Sequence, residues 1–325
     1  MGIVVVTDHV FPHLEAEAEI LAAAGHELRF AGNILAPDEV AAAAADADGI
    51  LNCYAPIPAD VIRSLSRCRV IARYGIGLDT IDIPAATAKG IVVTNVPDYC
   101  IDEVSDHALA LILALVRRVV VLDRSVRAGG WDLAPARPVH RLRGRTLGLI
   151  GFGRIARRLA EKTAAIGFRT IAYDPFVPAE SMASAGVEAG DLGRVLAESD
   201  VVSIHAPLTE TSRHLIGLPE LHLMKPGAFL VNTSRGPLVD LDALRTVMEE
   251  GHLAGAGLDV LEAEPPDPDD PLLRHPGVVV TPHAAFYSEE ATVEQQRKAA
   301  EQVVAALAGE TPAYAVNAEE LGRAR

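Results

Sequence analysis

Two doubly wound α/β domains with parallel sheets, the second inserted into the first, are what this sequence predicts. Three observations carry that prediction. Short β-branched runs alternate with Ala- and Leu-rich stretches of helical length, the pattern of a parallel sheet wrapped by helices. The chain has 325 residues, about twice a typical domain. The alternation also runs as two series, separated by a long helical pattern and a polar connector.

In the first series, strands are expected at 3–7, 49–52, 70–74 and 91–94. After Asn95-Val96-Pro97 one helical pattern is expected from Asp102 to about Ala128, with Val104, Leu111, Leu115, Val119 and Leu122 near the 3.6 period. Asp102 and Glu103 suit the positive end of its dipole, and Gly129-Gly130 stop it. A connector rich in Pro and Arg follows, from Trp131 to Gly144. The second series expects strands at 147–150, 170–173, 201–204, 229–232, 256–259 and 278–281. They are apolar throughout, as strands covered on both faces must be. A last helix is expected from about Ser288 to Ala308. The expected domains are therefore 1–98 with 286–325, discontinuous, and 99–285 inserted between them.

Charge sets limits on partners. With 29 basic and 44 acidic residues the formal net charge is −15, which argues against nucleic acid or an anionic membrane as partner. The longest strongly apolar run, Ala108 to Val116, is far short of the roughly 20 residues that span a bilayer. Ile3-Val4-Val5-Val6 is interrupted at once by Asp8, so no signal peptide is read there. Cys53, Cys68 and Cys100 are odd in number and lack metal-ligand spacing. They read as reduced thiols, and a cytoplasmic location is expected with no metal site.

Gly151-Phe152-Gly153-Arg154-Ile155-Ala156 fits G-x-G-x-x-(G/A). Alone the match is weak. Here it follows an apolar strand and opens a helix, and the next strand ends in Asp174, 23 residues after Gly151. That context is what a Rossmann-like dinucleotide site demands. Gly151 permits the tight turn, Gly153 lets backbone approach the pyrophosphate, and Ala156 keeps helix and strand close. Backbone N–H groups at the helix start, at Arg154 and Ile155, would face the phosphates. Asp174 would accept hydrogen bonds from ribose hydroxyls and repel a 2′-phosphate, and Pro175-Phe176-Val177-Pro178 supply no cation. NAD is expected rather than NADP.

Three later segments place polar groups at predicted strand ends, where ligands bind in parallel sheets. They are Asn232-Thr233-Ser234-Arg235-Gly236, Asp259-Val260-Leu261-Glu262-Ala263-Glu264 and Thr281-Pro282-His283-Ala284-Ala285. Hydride transfer to a carbonyl carbon requires a proton for the oxygen, and His is the natural donor near neutral pH. A carboxylate beside the imidazole would keep it protonated. An Arg can grip a substrate carboxylate bidentately. Spacing alone leaves open which carboxylate serves, Asp259, Glu262 or Glu264.

With these segments in order along the chain, the sequence resembles the D-isomer-specific 2-hydroxyacid dehydrogenases. The resemblance rests on the Gly151 loop, Asn232 to Asp240, Gly257 to Pro266 and Thr281 to Ala284. It implies that Arg235 binds the substrate carboxyl and carbonyl, that Glu264 pairs with the histidine, and that His283 is the acid/base. It further implies that Arg73 to Asp79 is the substrate loop, with Tyr74, Gly75 and Ile76 at the substrate and N–H groups cradling its carboxylate. It places His205 and Thr211 along the cofactor, with Thr233, Arg235, Asp259 and His283 also on the cofactor side. A homodimer joined through the cofactor domain is implied as well. Independently, two doubly wound domains that the chain joins twice, near 95–102 and 281–288, are expected to close on ligand.

Within the family, Val96 to His107, with Asp106 where most members carry Glu, and His283 to Ser288 resemble the C-terminal-binding protein corepressors and their dehydrogenase-like relatives. Those corepressors carry Trp where this chain has Phe286. Phosphoglycerate dehydrogenase is the other named possibility, but the loop Asn52 to Pro58 holds no cation for a phosphate. The expected substrate is a small 2-oxo acid with an uncharged side group, such as glyoxylate, hydroxypyruvate or pyruvate. His107 reads as a helix-face histidine and His140 as a connector histidine. Arg137, Arg141, Arg143 and Arg145 read as a solvated connector or a dimer contact.

Overall fold

The computed structural model describes residues 1–323. They form two compact units, one of residues 1–99 and 288–323, the other of residues 100–287. Unit 1 holds a five-stranded parallel sheet: β1 (Ile3–Val6), β2 (Glu27–Phe30), β3 (Gly49–Asn52), β4 (Val70–Arg73) and β5 (Val92–Thr94), in the order β2-β1-β3-β4-β5. Unit 2 holds a seven-stranded parallel sheet: β6 (Thr146–Ile150), β7 (Arg169–Tyr173), β8 (Glu188–Ala189), β9 (Val201–Ile204), β10 (Phe229–Asn232), β11 (Gly255–Leu258) and β12 (Val278–Val280), in the order β12-β11-β10-β9-β6-β7-β8.

Among the inner strands, β3, β4, β6, β9 and β11 are buried end to end. Apolar residues on both faces make this possible, since helices cover each face. In unit 1 the Glu289–Leu307 helix covers β3, β4 and β5 and lies along the Glu15–Ala23 helix. Ser288 caps it, its Oγ accepting the Ala291 N–H at 2.9 Å. In unit 2 the Ile101–Val116 helix buries Leu111, Ile112 and Leu115 over β10 and β11. Side chains of this size stabilise by about 1.5–3 kcal/mol each when buried. Gly257 makes that approach possible, because a Cβ there would stand 3.1 Å from Leu115 and 3.2 Å from Leu111.

Three elements differ from the sequence expectation. The helical pattern from Asp102 to Ala128 is two helices, Ile101–Val116 and Val119–Arg127. Arg118 breaks it in a left-handed conformation, φ 55°. Its guanidinium is drawn inward, donating to the Ala254 carbonyl at 2.8 Å and lying 5.1 Å from the Phe229 ring centroid. The strand β2 has no apolar run to announce it, since three of its four residues are exposed at the sheet edge. In the sheet of unit 2 the edge strand β8 is only two residues long. No helix among the described residues is long and apolar enough to cross a membrane.

Candidate active site

In unit 2 strand order reverses at β6, which pairs with β7 on one side and β9 on the other. The Gly151 loop leaves β6 at that switch point. Gly151 has φ 87°, and a Cβ on it would collide with the His205–Ala206 backbone at 2.7 Å. Gly153 is different. It is exposed, and a Cβ built on it meets nothing within 4 Å, so the space beside it is open. Behind it Ala156 is fully buried, and the Arg154–Ile166 helix begins directly with Arg154 and Ile155.

Asp174 closes the same crevice. One carboxylate oxygen accepts the Phe152 N–H at 2.8 Å and the other the Phe176 N–H at 2.9 Å, which fixes the carboxylate at the tip of β7. At the end of β9, His205 shares a hydrogen bond with Ser203 Oγ at 2.9 Å. Desolvation pushes its imidazole down to about 4, so this ring is neutral at physiological pH. Thr211 lies exposed beside Thr209, 3.1 Å between hydroxyls. Thr233 Oγ1 is buried without a hydrogen-bond partner at the end of β10. A glycine cradle, an orphaned hydroxyl and an anchored carboxylate fit a dinucleotide with its phosphates on the helix start and its ribose at Asp174.

The chemistry-bearing residues follow on the neighbouring strand ends. Asn232 folds back on its own loop, accepting the Ser234 N–H at 3.0 Å and donating to the Arg235 carbonyl at 2.8 Å. Gly236 lets this loop pack against the next one, because a Cβ there would sit 2.0 Å from the Leu261 carbonyl. Arg235 thereby comes close enough for its charge to act on Glu264.

Glu264 Oε2 lies 2.7 Å from His283 Nδ1, and Oε1 accepts the Leu261 N–H at 3.0 Å. Burial alone would raise the Glu264 carboxyl. The hydrogen bond and charge of His283, the Leu261 N–H and Arg235 outweigh it, and the carboxyl sits below its ordinary range. The three candidate carboxylates therefore separate. Glu264 faces the imidazole, Glu262 pairs with His214 Nε2, and Asp259 is buried and bonds the loop that carries His283. Phe286 stands edge-on to His283, centroids 6.3 Å apart.

Tyr74, Gly75 and Ile76 belong to unit 1. The Tyr74 ring is fully buried and its hydroxyl donates to Glu17 at 2.8 Å, so the side chain serves the core. Gly75 has φ 120°, and its carbonyl accepts the Val96 N–H at 2.9 Å. Asn95 Nδ2 donates to the Ile76 carbonyl at 2.7 Å. The carbonyl side of the loop is thus tied back. Arg73, the first residue of the expected substrate loop, lies buried beneath it; its Nη1 would be 1.7 Å from a Cβ on Gly75 and its Nε has no hydrogen-bond partner. His107, read as a helix-face residue, instead bonds Thr281 Oγ1 at 2.8 Å.

Comparison with known proteins identifies the family. The family profile described as D-isomer specific 2-hydroxyacid dehydrogenase, NAD binding domain, matches residues 109–285. A glyoxylate reductase of Korarchaeum cryptofilum is 43% identical over 278 residues, 84% of each chain. A D-3-phosphoglycerate dehydrogenase of Archaeoglobus fulgidus is 40% identical over 268 residues, 82% of this chain but 51% of that one, so the chain spans about half its length. The D-lactate dehydrogenase of Aquifex aeolicus, solved with NAD and lactic acid, superposes with a TM-score of 0.84 at 28% identity, covering 95% of this chain and 96% of that one. The chain belongs to the D-isomer specific 2-hydroxyacid dehydrogenase family and is an NAD-dependent oxidoreductase that interconverts 2-oxo acids and D-2-hydroxy acids.

Proposed function

We propose that this chain reduces a small, unphosphorylated 2-oxo acid of the glyoxylate class, with His283 as acid/base, Glu264 as its partner and Arg235 as the substrate clamp. The observation that carries the reading is the 2.7 Å contact between Glu264 and His283 Nδ1 at the strand ends beside Arg235. Because Nδ1 faces the carboxylate, Nε2 is the nitrogen that gives the proton to the carbonyl oxygen. Glu264, held ionised by its surroundings, stabilises the imidazolium before the proton leaves. Arg235 holds the substrate carboxylate with its fork and polarises the adjacent carbonyl. When bound, NADH supplies the hydride. Gly151, Gly153, Arg154, Ile155, Asp174, His205, Thr211, Thr233 and Asp259 are assigned to its side of the site. Asp174 favours NADH over NADPH, since its charge repels a 2′-phosphate. A substrate role for Tyr74, Gly75 and Ile76 falls on loop backbone, given where the Tyr74 ring lies.

The glyoxylate class is supported by several glyoxylate reductases that are 40–43% identical to the chain over most of both lengths. A second reading, a phosphorylated 2-oxo acid, is favoured by one observation: the buried Arg73 under the Gly75 loop is a cation without a partner at Nε. A homodimer through unit 2 is favoured by exposed Val119, Val126, Trp131 and Leu133. A reducing cytoplasm suits three cysteines, of which Cys68 is pushed up to about 12 by burial.

The test is NADH oxidation with glyoxylate, hydroxypyruvate, pyruvate and phosphohydroxypyruvate, for wild type and His283→Ala. We expect turnover of one or more small acids and roughly a 100-fold loss in His283→Ala, the usual size of general acid help. Preference for the phosphorylated acid would transfer the assignment to the second reading. Tight NADH binding with no turnover of any of them would sink the substrate assignment.

A further inference from the structure

Glu264 pairs with the His283 ring but does not account for its backbone conformation. His283 has φ 51°, a left-handed conformation that strains a residue carrying a Cβ. Its backbone must be held from outside. Asp259 does the holding. Its carbonyl accepts the His283 N–H at 2.8 Å, Oδ1 accepts the Ala284 N–H at 2.9 Å, and Oδ2 accepts the Ala285 N–H at 2.9 Å. Asp259 is itself 1% exposed, so these bonds act in a dry setting.

A fourth donor reaches Asp259. The Thr281 hydroxyl donates to Oδ1 at 2.5 Å. A hydroxyl has one proton, and this one is committed to the carboxylate. The 2.8 Å contact between Thr281 Oγ1 and His107 Nε2 therefore requires the ring to donate. His107 projects from the Ile101–Val116 helix, and its Nε2 stands 3.5 Å from Asp259 Oδ1. A helix, the end of β11 and the segment after β12 are thereby joined in one chain of hydrogen bonds that ends at the Ala284 and Ala285 N–H groups, next to His283.

We propose that His107 is a positioning residue. By donating Nε2–H to Thr281 it aims the Thr281 hydroxyl at Asp259, and so fixes the carboxylate that clamps the strained loop of His283. It acts through Thr281 and Asp259. The inference rests on the acid–base reading of His283, and the experiment separates the two.

The variants are His107→Leu, His107→Gln, Thr281→Val and Thr281→Ser, with His283→Ala measured alongside. Misplacing a reacting group by a fraction of an ångström costs rate more than binding, so kcat for the best 2-oxo acid should fall about tenfold in His107→Leu and Thr281→Val. KM and the NADH dissociation constant should stay within about twofold of wild type. His107→Gln and Thr281→Ser keep the donors and should recover most of the rate. The double variant His107→Leu/Thr281→Val should lose no more than the worse single one, because both cut the same chain. Amide hydrogen exchange at 283–285, read without substrate, should rise in the two apolar variants and not in His107→Gln. Wild-type kcat and exchange in His107→Leu, an equal loss in His107→Leu and His107→Gln, or a multiplicative double variant would each overturn the proposal. If His283→Ala kept full rate while exchange rose as expected, the acid–base reading would fall and the clamp would stand.

Discussion

Both sheets reverse strand order once, at β1 between β2 and β3 in unit 1 and at β6 between β7 and β9 in unit 2. Such switch points are where open parallel sheets bind ligands. In unit 1 the crevice is filled by the protein itself. Asp8, 3% exposed at the end of β1, accepts the Cys53 N–H at 3.0 Å and the Tyr54 N–H at 2.6 Å from the loop after β3. In unit 2 the loop after β6 carries Gly153, with open space where a side chain would be. A carboxylate that binds the neighbouring loop fills one switch point, and a glycine leaves space at the other. Among the described residues, the orphaned buried polar atoms of unit 1 are Asn52 Oδ1, Arg73 Nε, Thr80 Oγ1, Thr94 Oγ1 and Gln295 Oε1.

Four measurements bear on that contrast. The largest effect is expected from Gly153→Val. No atom lies within 4 Å of the new Cβ, so the apo protein should melt as wild type does, yet the NADH dissociation constant should rise about 100-fold because pyrophosphate needs that space. Unchanged affinity in a fluorescence titration would reduce the glycine to a structural turn. Asp8→Ala probes the filled crevice. Removing the acceptor of two N–H groups should cost about 2 kcal/mol in a urea melt and leave NADH affinity alone; weakened NADH binding would show that the unit 1 crevice is not merely core.

Third comes Glu264→Gln, which tests whether the open crevice depends on one ion pair. Glu264 lies below its ordinary range, so it stays ionised at neutral pH and gives up its stabilising charge only in acid. Without it the imidazole loses the partner that orients Nδ1, and kcat for reduction should fall about tenfold. A wild-type kcat would dissolve the pairing. The smallest effect belongs to Asp174→Asn. It removes the charge and keeps an acceptor for only one of the two N–H groups, Phe152 or Phe176, and preference for NADH over NADPH should narrow about fivefold. A wider preference would reverse the assignment of Asp174.

How far these features are legible in the sequence depends on how local their causes are. β3 and β9 are read from their own residues, because strands buried on both faces must be apolar along their length. The glycine loop is legible because each glycine answers a short-range backbone need. Edge strand β2 escapes notice since it has no buried face to pattern it. The break at Arg118 escapes too, because the apolar period runs through it and the cause is a carbonyl 136 residues away. His107 is illegible for the same reason: its partner Thr281 lies 174 residues along the chain. Glu264 and His283 were recognisable by their motifs, and only the fold shows that Glu262 turns to His214 instead.

The late return of the chain to unit 1 has a consequence for synthesis. Gln296 donates to buried Glu17 across 279 residues, and Arg69 reaches the Leu307 carbonyl across 238. While the ribosome makes residues 100–287, the first sheet exists without its Glu289–Leu307 helix, and β3 to β5 stay uncovered on that side. At about 5–20 residues per second that wait lasts roughly 10–40 s. Unit 2 is continuous and can close on its own contacts during the interval. The half-covered first sheet is then the species that a chaperone would meet.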